Sequence, residues 1–504
     1  MAASTSSIVV VFTFIVLLFI RQIVQYLTSP LKDVPGPFLA KFTNLWRLYN
    51  TYGGRPELRH RLLHEQYGPV IRLGPNCVSL ADPKLIKTIY DTRGEFLKTD
   101  FYSVNDVKAG NVILQNIFGT RSNTYHTSQE RLMHKHYTLA SLKEFEPSVD
   151  ATVLQFQKRL DKEFVETGNT CKIDHWVSFF AWDVIGQVTF SKTMGFLDSG
   201  QDVNDMIRTA EMALDYFATI GQMPWLDKFL DKNPIMRIGP PSFGAAASFC
   251  ASQVIDRLSG TDKHDPEKQK DFLDYFIELK RQNPNVVDDN QIVSFLLINI
   301  LAGADTIAII LRAIIYFVVR NPRVHKRVLQ ELKVAGITMP TSYDEAIKLP
   351  YLTAVISESM RMHPGVGLLL ERLVPETGLA LSDGRVLKRG TIVGMNAWVV
   401  HTNKEIFGQD AASFVPERWL RSDAESEEEY RLRVSSMRSA DLTFGAGKRR
   451  CIGKHVALLE IYKVIPMLFL KYDMEFVDPT GDWKVQNSWF VRQTGMDIKL
   501  SVLS

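Results

Sequence analysis

Of the four cysteines in the chain, Cys451 stands where a thiolate could do chemistry. It lies in the run Phe444-Gly445-Ala446-Gly447-Lys448-Arg449-Arg450-Cys451-Ile452-Gly453, a glycine-punctuated basic loop leading into a long amphipathic stretch. A metal-binding or nucleophilic sulfur must lose its proton, which a nearby positive field and open backbone favour. Arg449 and Arg450 are close in sequence, and a helix expected to begin near Ile452 would aim its positive end at the thiol. Gly447 and Gly453 would let the backbone turn and come close to a flat ligand. The plain alternative is a structural cysteine in a tight turn. Cys77, Cys171 and Cys250 are scattered without C-x-x-C pairs, which argues against a disulfide framework or a zinc site and fits a reducing compartment.

A second cluster is Ala302-Gly303-Ala304-Asp305-Thr306. An acid beside a hydroxyl could pass protons into a dry site. Gly303 costs a helix about 1 kcal/mol relative to Ala, so a functional reason is expected: its missing side chain would leave room for a small molecule against the backbone. On the plain reading, Thr306 bonds back to a carbonyl and Asp305 pairs with a distant arginine. A third pair, Glu358 and Arg361, falls at i and i+3 on one helical face just before His363-Pro364. By itself it is a common surface pair, but Pro416-Glu417-Arg418-Trp419 downstream could add a second arginine.

These residues need elements to hold them. The longest helical stretch, Ile292 to Val319, spans about 42 Å at 1.5 Å per residue, with Asp288 and Asp289 near its start and Asn321-Pro322 as its stop. It is apolar on nearly every face, which predicts burial through the middle of a domain. Asn299, Asp305 and Arg312 make it a poor membrane span. Helical periodicity also covers Ala151 to Val165, Val203 to Ala218, Ser242 to Leu258, Phe272 to Arg281 and Ile452 to Lys471. Two hairpins are predicted: Val70 to Leu73 with Cys77 to Leu80, and Leu379 to Leu381 with Val386-Leu387. The fold class is mainly α with small β-sheets.

Lys+Arg 59 against Asp+Glu 56 gives a net charge of +3, which argues against a nucleic-acid or other polyanion binder. Residues 1–29 predict a single membrane anchor: Met1 to Ile20 carries no charged side chain, and Arg21 could snorkel to the interface. No basic residue precedes the apolar run and no small-x-small cleavage site follows it, which disfavours a secretory signal peptide. Arg21, Lys32 and Lys41 place the body of the protein in the cytosol by the positive-inside rule. Residues 30–40, with Val34-Pro35-Gly36-Pro37-Phe38, predict a stiff hinge, and residues 41–504 the globular domain.

The pattern F-x-x-G-x-R-x-C-x-G from Phe444 to Gly453 resembles the haem-binding loop of the cytochrome P450 family. The resemblance covers nearly the whole chain and implies that family's triangular, helix-rich fold behind one transmembrane helix. It implies haem b with Cys451 as axial iron ligand, Arg449 on a propionate, Phe444 near the sulfur, and Gly447 and Gly453 shaping the loop. Ala302 to Thr306 is similar to the family's A-G-x-D-T segment, which implies a dioxygen-supporting hydroxyl at Thr306 and a proton relay through Asp305. Glu358, Arg361 and Arg418 match its E-x-x-R and P-E-R segments and imply a buried structural network.

Tyr125 to Arg131 resembles the family's W/H-x-x-x-R propionate helix, making His126 a candidate. The chain departs from that pattern by placing Glu130 where the arginine belongs and Arg131 one residue later. Arg372 is a further propionate candidate by its place in the family pattern. Lys448, Arg449 and Arg450 could steer an acidic electron donor, neutralise a propionate, or do both.

No nucleotide-binding Gly-rich loop is apparent, so electrons are expected from NADPH through a separate cytochrome P450 reductase, with cytochrome b5 as an additional donor. Val34 to Tyr49 and Gly445 to Pro466 look most like filamentous-fungal, pisatin-demethylase-like members. The implied activity is O2-dependent hydroxylation, epoxidation or O-demethylation of a lipophilic molecule at the endoplasmic reticulum membrane, in specialised-metabolite biosynthesis. Detoxification or assimilation of an aromatic compound is the alternative, and a haem-thiolate isomerase or dehydratase that does not use O2 is another. The pocket is expected from Phe101 to Asn123, Phe295 to Thr306, Val366 to Leu370 and Trp489 to Thr494.

Overall fold

The computed structural model describes residues 12–13, 16–17, 20–109, 112–240 and 243–503. Much of the expected anchor therefore lies outside the described residues. The parts of it that are described, 12–13, 16–17 and 20–27, are helical, with Phe12, Leu17, Ile20, Val24 and Leu27 exposed. The stretch 30–40 that follows, expected to be a hinge, is docked on the body. Leu31 and Val34 are buried, the Arg72 guanidinium donates to the Leu31 carbonyl at 3.0 Å, and the Arg72 N–H donates to the Pro35 carbonyl at 2.7 Å.

Ten helices matter for the site: α1 (Asn123–Met133), α2 (Glu146–Leu160), α3 (Ile173–Phe190), α4 (Met206–Ile220), α5 (Gly244–Ser259), α6 (Phe272–Gln282), α7 (Asp289–Val319), α8 (Pro322–Val334), α9 (Pro350–Met362) and α10 (Lys454–Lys471). The axis of the fold is α7. Asp288 starts it from an extended backbone by accepting the Gln291 N–H at 2.7 Å. Among the described residues it is the one helix long and apolar enough to cross a membrane, and 72% of its most apolar window is buried inside the protein. It is thus the core helix that its polar residues predicted.

Packed along α7 is α3, all but two of whose eighteen residues are buried. Arg312 of α7 locks the pair by donating to the Asp174 carbonyl from Nε at 2.9 Å and Nη2 at 2.7 Å, and to the Ser178 hydroxyl. An arginine buried this deeply is tolerated because its donors are satisfied.

The main sheet contains β1 (Val70–Gly74), β2 (Cys77–Leu80), β3 (Leu97–Lys98), β4 (Arg372–Leu373) and β5 (Ile392–Gly394), in the order β1-β2-β5-β4-β3. Its β5 strand runs parallel to β2, and the other pairs are antiparallel. The β3–β4 register sets Lys98 directly opposite Arg372. A hairpin of β6 (Lys484–Ser488) and β7 (Phe490–Thr494) turns at Trp489, whose φ is +76°. Both predicted hairpins are present, the second with a shorter first strand, Leu379–Ala380.

Helix limits differ from expectation where local geometry intervenes. The Ala151-to-Val165 stretch divides into α2 and a π turn at Asp161–Val165. The run beginning at Val203 is broken by positive φ at Asn204 and Asp205, so α4 starts at Met206. Gly453 caps α10, delaying its start to Lys454.

Candidate active site

The Cys451 loop is a tight structure held by its own backbone. The Cys451 N–H donates to the Phe444 carbonyl at 2.8 Å, and the Arg450 N–H to the Gly447 carbonyl at 3.2 Å. Gly447 has φ +61°, and a Cβ there would fall 1.8 Å from the Tyr90 carbonyl oxygen. This corrects the expectation of a close ligand approach: glycine is required here because the loop presses against the Tyr90–Asp91 backbone. At Gly453 a Cβ would meet only the Cys451 Sγ, at 3.9 Å, so this glycine keeps the space beside the sulfur open.

Cys451 exposes surface, but that surface faces an interior cavity of about 320 Å³, so the sulfur is shielded from bulk water. Burial pushes the thiol pKa up. The backbone N–H groups of Gly453 and Lys454 and the Lys454 ammonium oppose this without reversing it. The expected net depression by the arginines is therefore not found, and the guanidinium of Arg449 is turned toward Asn123 and Ser122. A sulfur held neutral in a dry pocket becomes a thiolate when a metal cation takes the place of the proton.

At one end of the cavity basic groups crowd together. Lys98, His126 and Arg449 line the wall. The Lys98 ammonium donates to the Phe118 carbonyl at 2.6 Å and stands 4.1 and 4.3 Å from the Tyr102 and Phe118 ring centroids. Among the described residues no carboxylate lies within ion-pair distance of Lys98, Arg372 or Arg449. Burial, with Arg372 and Arg449 adding to it, pushes Lys98 well down. Burial and the same cations take His126 to about 3, and burial with Arg372 takes Arg449 to about 10.

Like charges placed directly across a strand pair are destabilising, so Lys98 opposite Arg372 calls for an anion. The two propionates of a haem fit this basic end, and the Cys451 sulfur fits its iron. Arg372 is buried 5.1 Å over the Tyr90 ring, behind the wall rather than on it. Glu130 does line the cavity, 3.5 Å from His126, while Arg131 is exposed and outside the wall. Lys98 was missed in the sequence because its significance depends on a strand register with Arg372.

Ala302, Gly303, Asp305 and Thr306 of α7 line the same cavity as Cys451 and Phe444. The Thr306 hydroxyl donates to the Ala302 carbonyl at 2.8 Å, the back-bond of the plain reading. A Cβ on Gly303 would fall 2.7 Å from Ile185 Cδ1. The expected room for a small molecule is therefore corrected: Ile185 of α3 uses it. Asp305 is buried, and its Oδ1 accepts the Trp182 indole N–H at 3.2 Å while Oδ2 has no partner. Burial raises its pKa to about 6, with Glu211 adding and Trp182, Arg492 and Arg312 opposing. Among the described residues no arginine is bonded to it, contrary to the plain reading.

Behind the loop, Glu358 is fully buried and accepts from Arg361 at 2.9 and 2.7 Å, Arg418 at 3.0 Å, Trp419 at 2.9 Å and the Val415 N–H at 2.9 Å. His401, which sequence reasoning missed, connects this cluster to the cysteine loop. Its Nδ1 donates to the Arg361 carbonyl at 3.1 Å and its Nε2 accepts the Leu442 N–H at 2.9 Å. That pairing requires the neutral Nδ1–H tautomer.

The expected pocket segments all contribute wall residues, and so do Ala210, Leu214 and Phe217 of α4 and Phe243 before α5, which were not anticipated. The cytochrome P450 sequence profile matches residues 34–500. The chain belongs to the cytochrome P450 family. Among similar proteins, cytochrome P450 monooxygenase cfoH of Aspergillus candidus is 41% identical over 490 residues, covering 96% of this chain and 91% of that protein. Cytochrome P450 monooxygenase cicH of Emericella nidulans is 36% identical, with 93% of each chain covered. Cytochrome P450 monooxygenase mpaDE of Penicillium roqueforti is 34% identical over 95% of this chain, which spans 56% of that longer protein. This P450 is a monooxygenase, and its family membership implies haem, dioxygen and a reductase partner.

Proposed function

We propose that this P450 is a membrane-anchored tailoring monooxygenase that hydroxylates, epoxidises or O-demethylates a lipophilic small molecule in fungal specialised metabolism. The observation that carries the reading is one cavity joining the Cys451 sulfur, a basic end where Lys98 and Arg449 have no carboxylate within ion-pair distance among the described residues, and the Asp305–Thr306 step of α7. Similarity to fungal P450 monooxygenases supports the tailoring context. The remaining wall is strongly apolar. Phe118, Phe217 and Trp489 pack edge to face with centroids 5.6–6.1 Å apart, which suits a lipophilic ligand. Exposed Phe38 and Leu39 at the end of the hinge, with Leu45 and Tyr49 just beyond it, support seating against the endoplasmic reticulum membrane.

Haem b, when bound, supplies the one-electron and O2 chemistry. Cys451 would hold it through the sulfur and favour O–O cleavage by electron donation. Lys98 and Arg449, with Arg372 behind them, would compensate its propionates, with His126 beside them as a neutral imidazole. Asp305 would hold and release protons and the Thr306 hydroxyl would orient them, while the apolar faces of α3 and α7 exclude water. NADPH electrons would arrive through the reductase, or from cytochrome b5, with Lys448 and Arg450 steering on the cysteine side.

The test is reconstitution with reductase in phospholipid vesicles, screening apolar compounds by the haem Soret shift, then turnover with NADPH under 18O2. One labelled oxygen is expected in the hydroxylated or epoxidised product, or in the formaldehyde released by O-demethylation, and one in water. Product formed without O2 or NADPH would overturn the proposal in favour of isomerase or dehydratase chemistry.

A further inference from the structure

We infer that Trp182 is a positioning residue for proton delivery: its indole N–H fixes the Asp305 carboxyl so that Oδ2 is the oxygen that carries and releases the proton. The inference rests on the role proposed above for Asp305. An indole N–H can only donate, so the oxygen it reaches, Oδ1 at 3.2 Å, must be an acceptor. A proton placed on Oδ1 would make it a poorer acceptor and weaken that bond. A neutral Asp305 is therefore protonated on Oδ2, which is buried, has no partner and belongs to a cavity-lining residue.

The indole is held from several directions. Trp182 is fully buried, with its ring 5.4 Å from that of Phe196. The adjacent Asp183 carboxylate accepts the N–H groups of Met194, Gly195, Phe196 and Leu197 at 2.8–3.2 Å, locking the turn that carries Phe196 against α3. Four residues before Trp182, Ser178 is bonded to Arg312 of α7, and three residues after it Ile185 fills the gap at Gly303. The spacing of the two helices is thus fixed on both sides of the Trp182–Asp305 bond.

The charged groups that bear on Asp305 are Glu211, Arg492 and Arg312. Arg492 is paired with Asp215 at 2.7 Å, and Arg312 is held by the Asp174 carbonyl. In each cycle the proton leaves Oδ2 for an acceptor in the cavity. The carboxylate left behind keeps the Trp182 N–H on Oδ1, and a proton from solvent restores Oδ2.

The experiment uses the haem-loaded enzyme with Trp182→Phe, and with benzothienylalanine at position 182, an isostere that removes only the N–H and guards against a packing defect. Infrared spectroscopy reads the protonated-carboxyl C=O band, assigned by its loss in Asp305→Asn. Both position-182 variants should keep the thiolate-haem carbon monoxide spectrum and shift the band to higher frequency. They should also raise its titration midpoint by about one pH unit, and cut the share of NADPH electrons reaching product at least about threefold. An unmoved band, or wild-type coupling in the benzothienylalanine variant while Asp305→Asn loses it, would overturn the inference. Wild-type coupling in Asp305→Asn as well would overturn the role proposed for Asp305 itself, and the inference with it.

Discussion

Replacing Glu358 by Gln removes a carboxylate that accepts five hydrogen bonds inside the protein, and the structure allows its effect to be apportioned. Arg418 keeps a second carboxylate, Asp410 at 2.9 Å, so its charge stays partly compensated. Arg361 does not; it retains the neutral carbonyls of Ala411 and His401, each at 2.7 Å, and of Ser413 at 3.0 Å, and the Met362 sulfur at 2.9 Å, but no second carboxylate among the described residues. One buried charge rather than two is therefore left without an opposite partner, which corresponds to about 3–5 kcal/mol of lost stability. The glutamine amide offers little relief, because an NH2 now faces guanidinium and indole donors.

Arg361→Met should be the more damaging single change, since it also frees the two buried carbonyls of His401 and Ala411. The double variant should lose less than the sum of the two by more than about 1 kcal/mol, because neither charge is then stranded. Urea unfolding followed by Soret absorbance and far-UV circular dichroism provides the cycle. A Glu358→Gln penalty below about 1 kcal/mol, or strict additivity, would refute this reasoning.

Lys98→Met should act with opposite signs in the two forms of the protein. It relieves the repulsion with Arg372 and Arg449 in the haem-free chain, raising its urea midpoint, yet speeds haem transfer to apomyoglobin by about tenfold. Asp305 gives a pH dependence. Its folded value, about 6, lies above the ordinary 3.8, so its contribution is fully present below that ordinary value and is lost as pH rises through 6. The loss amounts to about 3 kcal/mol, and thermal unfolding between pH 4 and 8 should show it in the wild type but not in Asp305→Asn. Thr306→Ala should preserve haem binding while diverting NADPH electrons to hydrogen peroxide, measured as peroxide per NADPH; full coupling in that variant would count against the hydroxyl's role.

What the sequence disclosed, and what it hid, follows from range and periodicity. The Cys451 loop is contiguous, and α7 declares itself by its length and by Asp288 and Asn321-Pro322 at its ends. The Glu358–Arg361 pair could be read as an i, i+3 contact, and Arg418 by its order along the chain. In contrast, α3 is apolar on all sides, so no periodicity marked which face carries Trp182 and Ile185. Lys98 and Arg372 meet only through a pairing of two-residue strands far apart in sequence. Gly447 was expected to approach a ligand; the backbone it meets, at Tyr90, is distant in the chain and could not be named.

The proposed chemistry depends first on the Cys451 sulfur binding a haem iron as thiolate. It is tested most directly by the absorption spectrum of the purified, dithionite-reduced protein under carbon monoxide. The long-wavelength Soret band of a thiolate-bound haem is expected in the wild type, and its loss in Cys451→Ala. Absence of that band in correctly folded, haem-loaded wild type, or its persistence in Cys451→Ala, would contradict it.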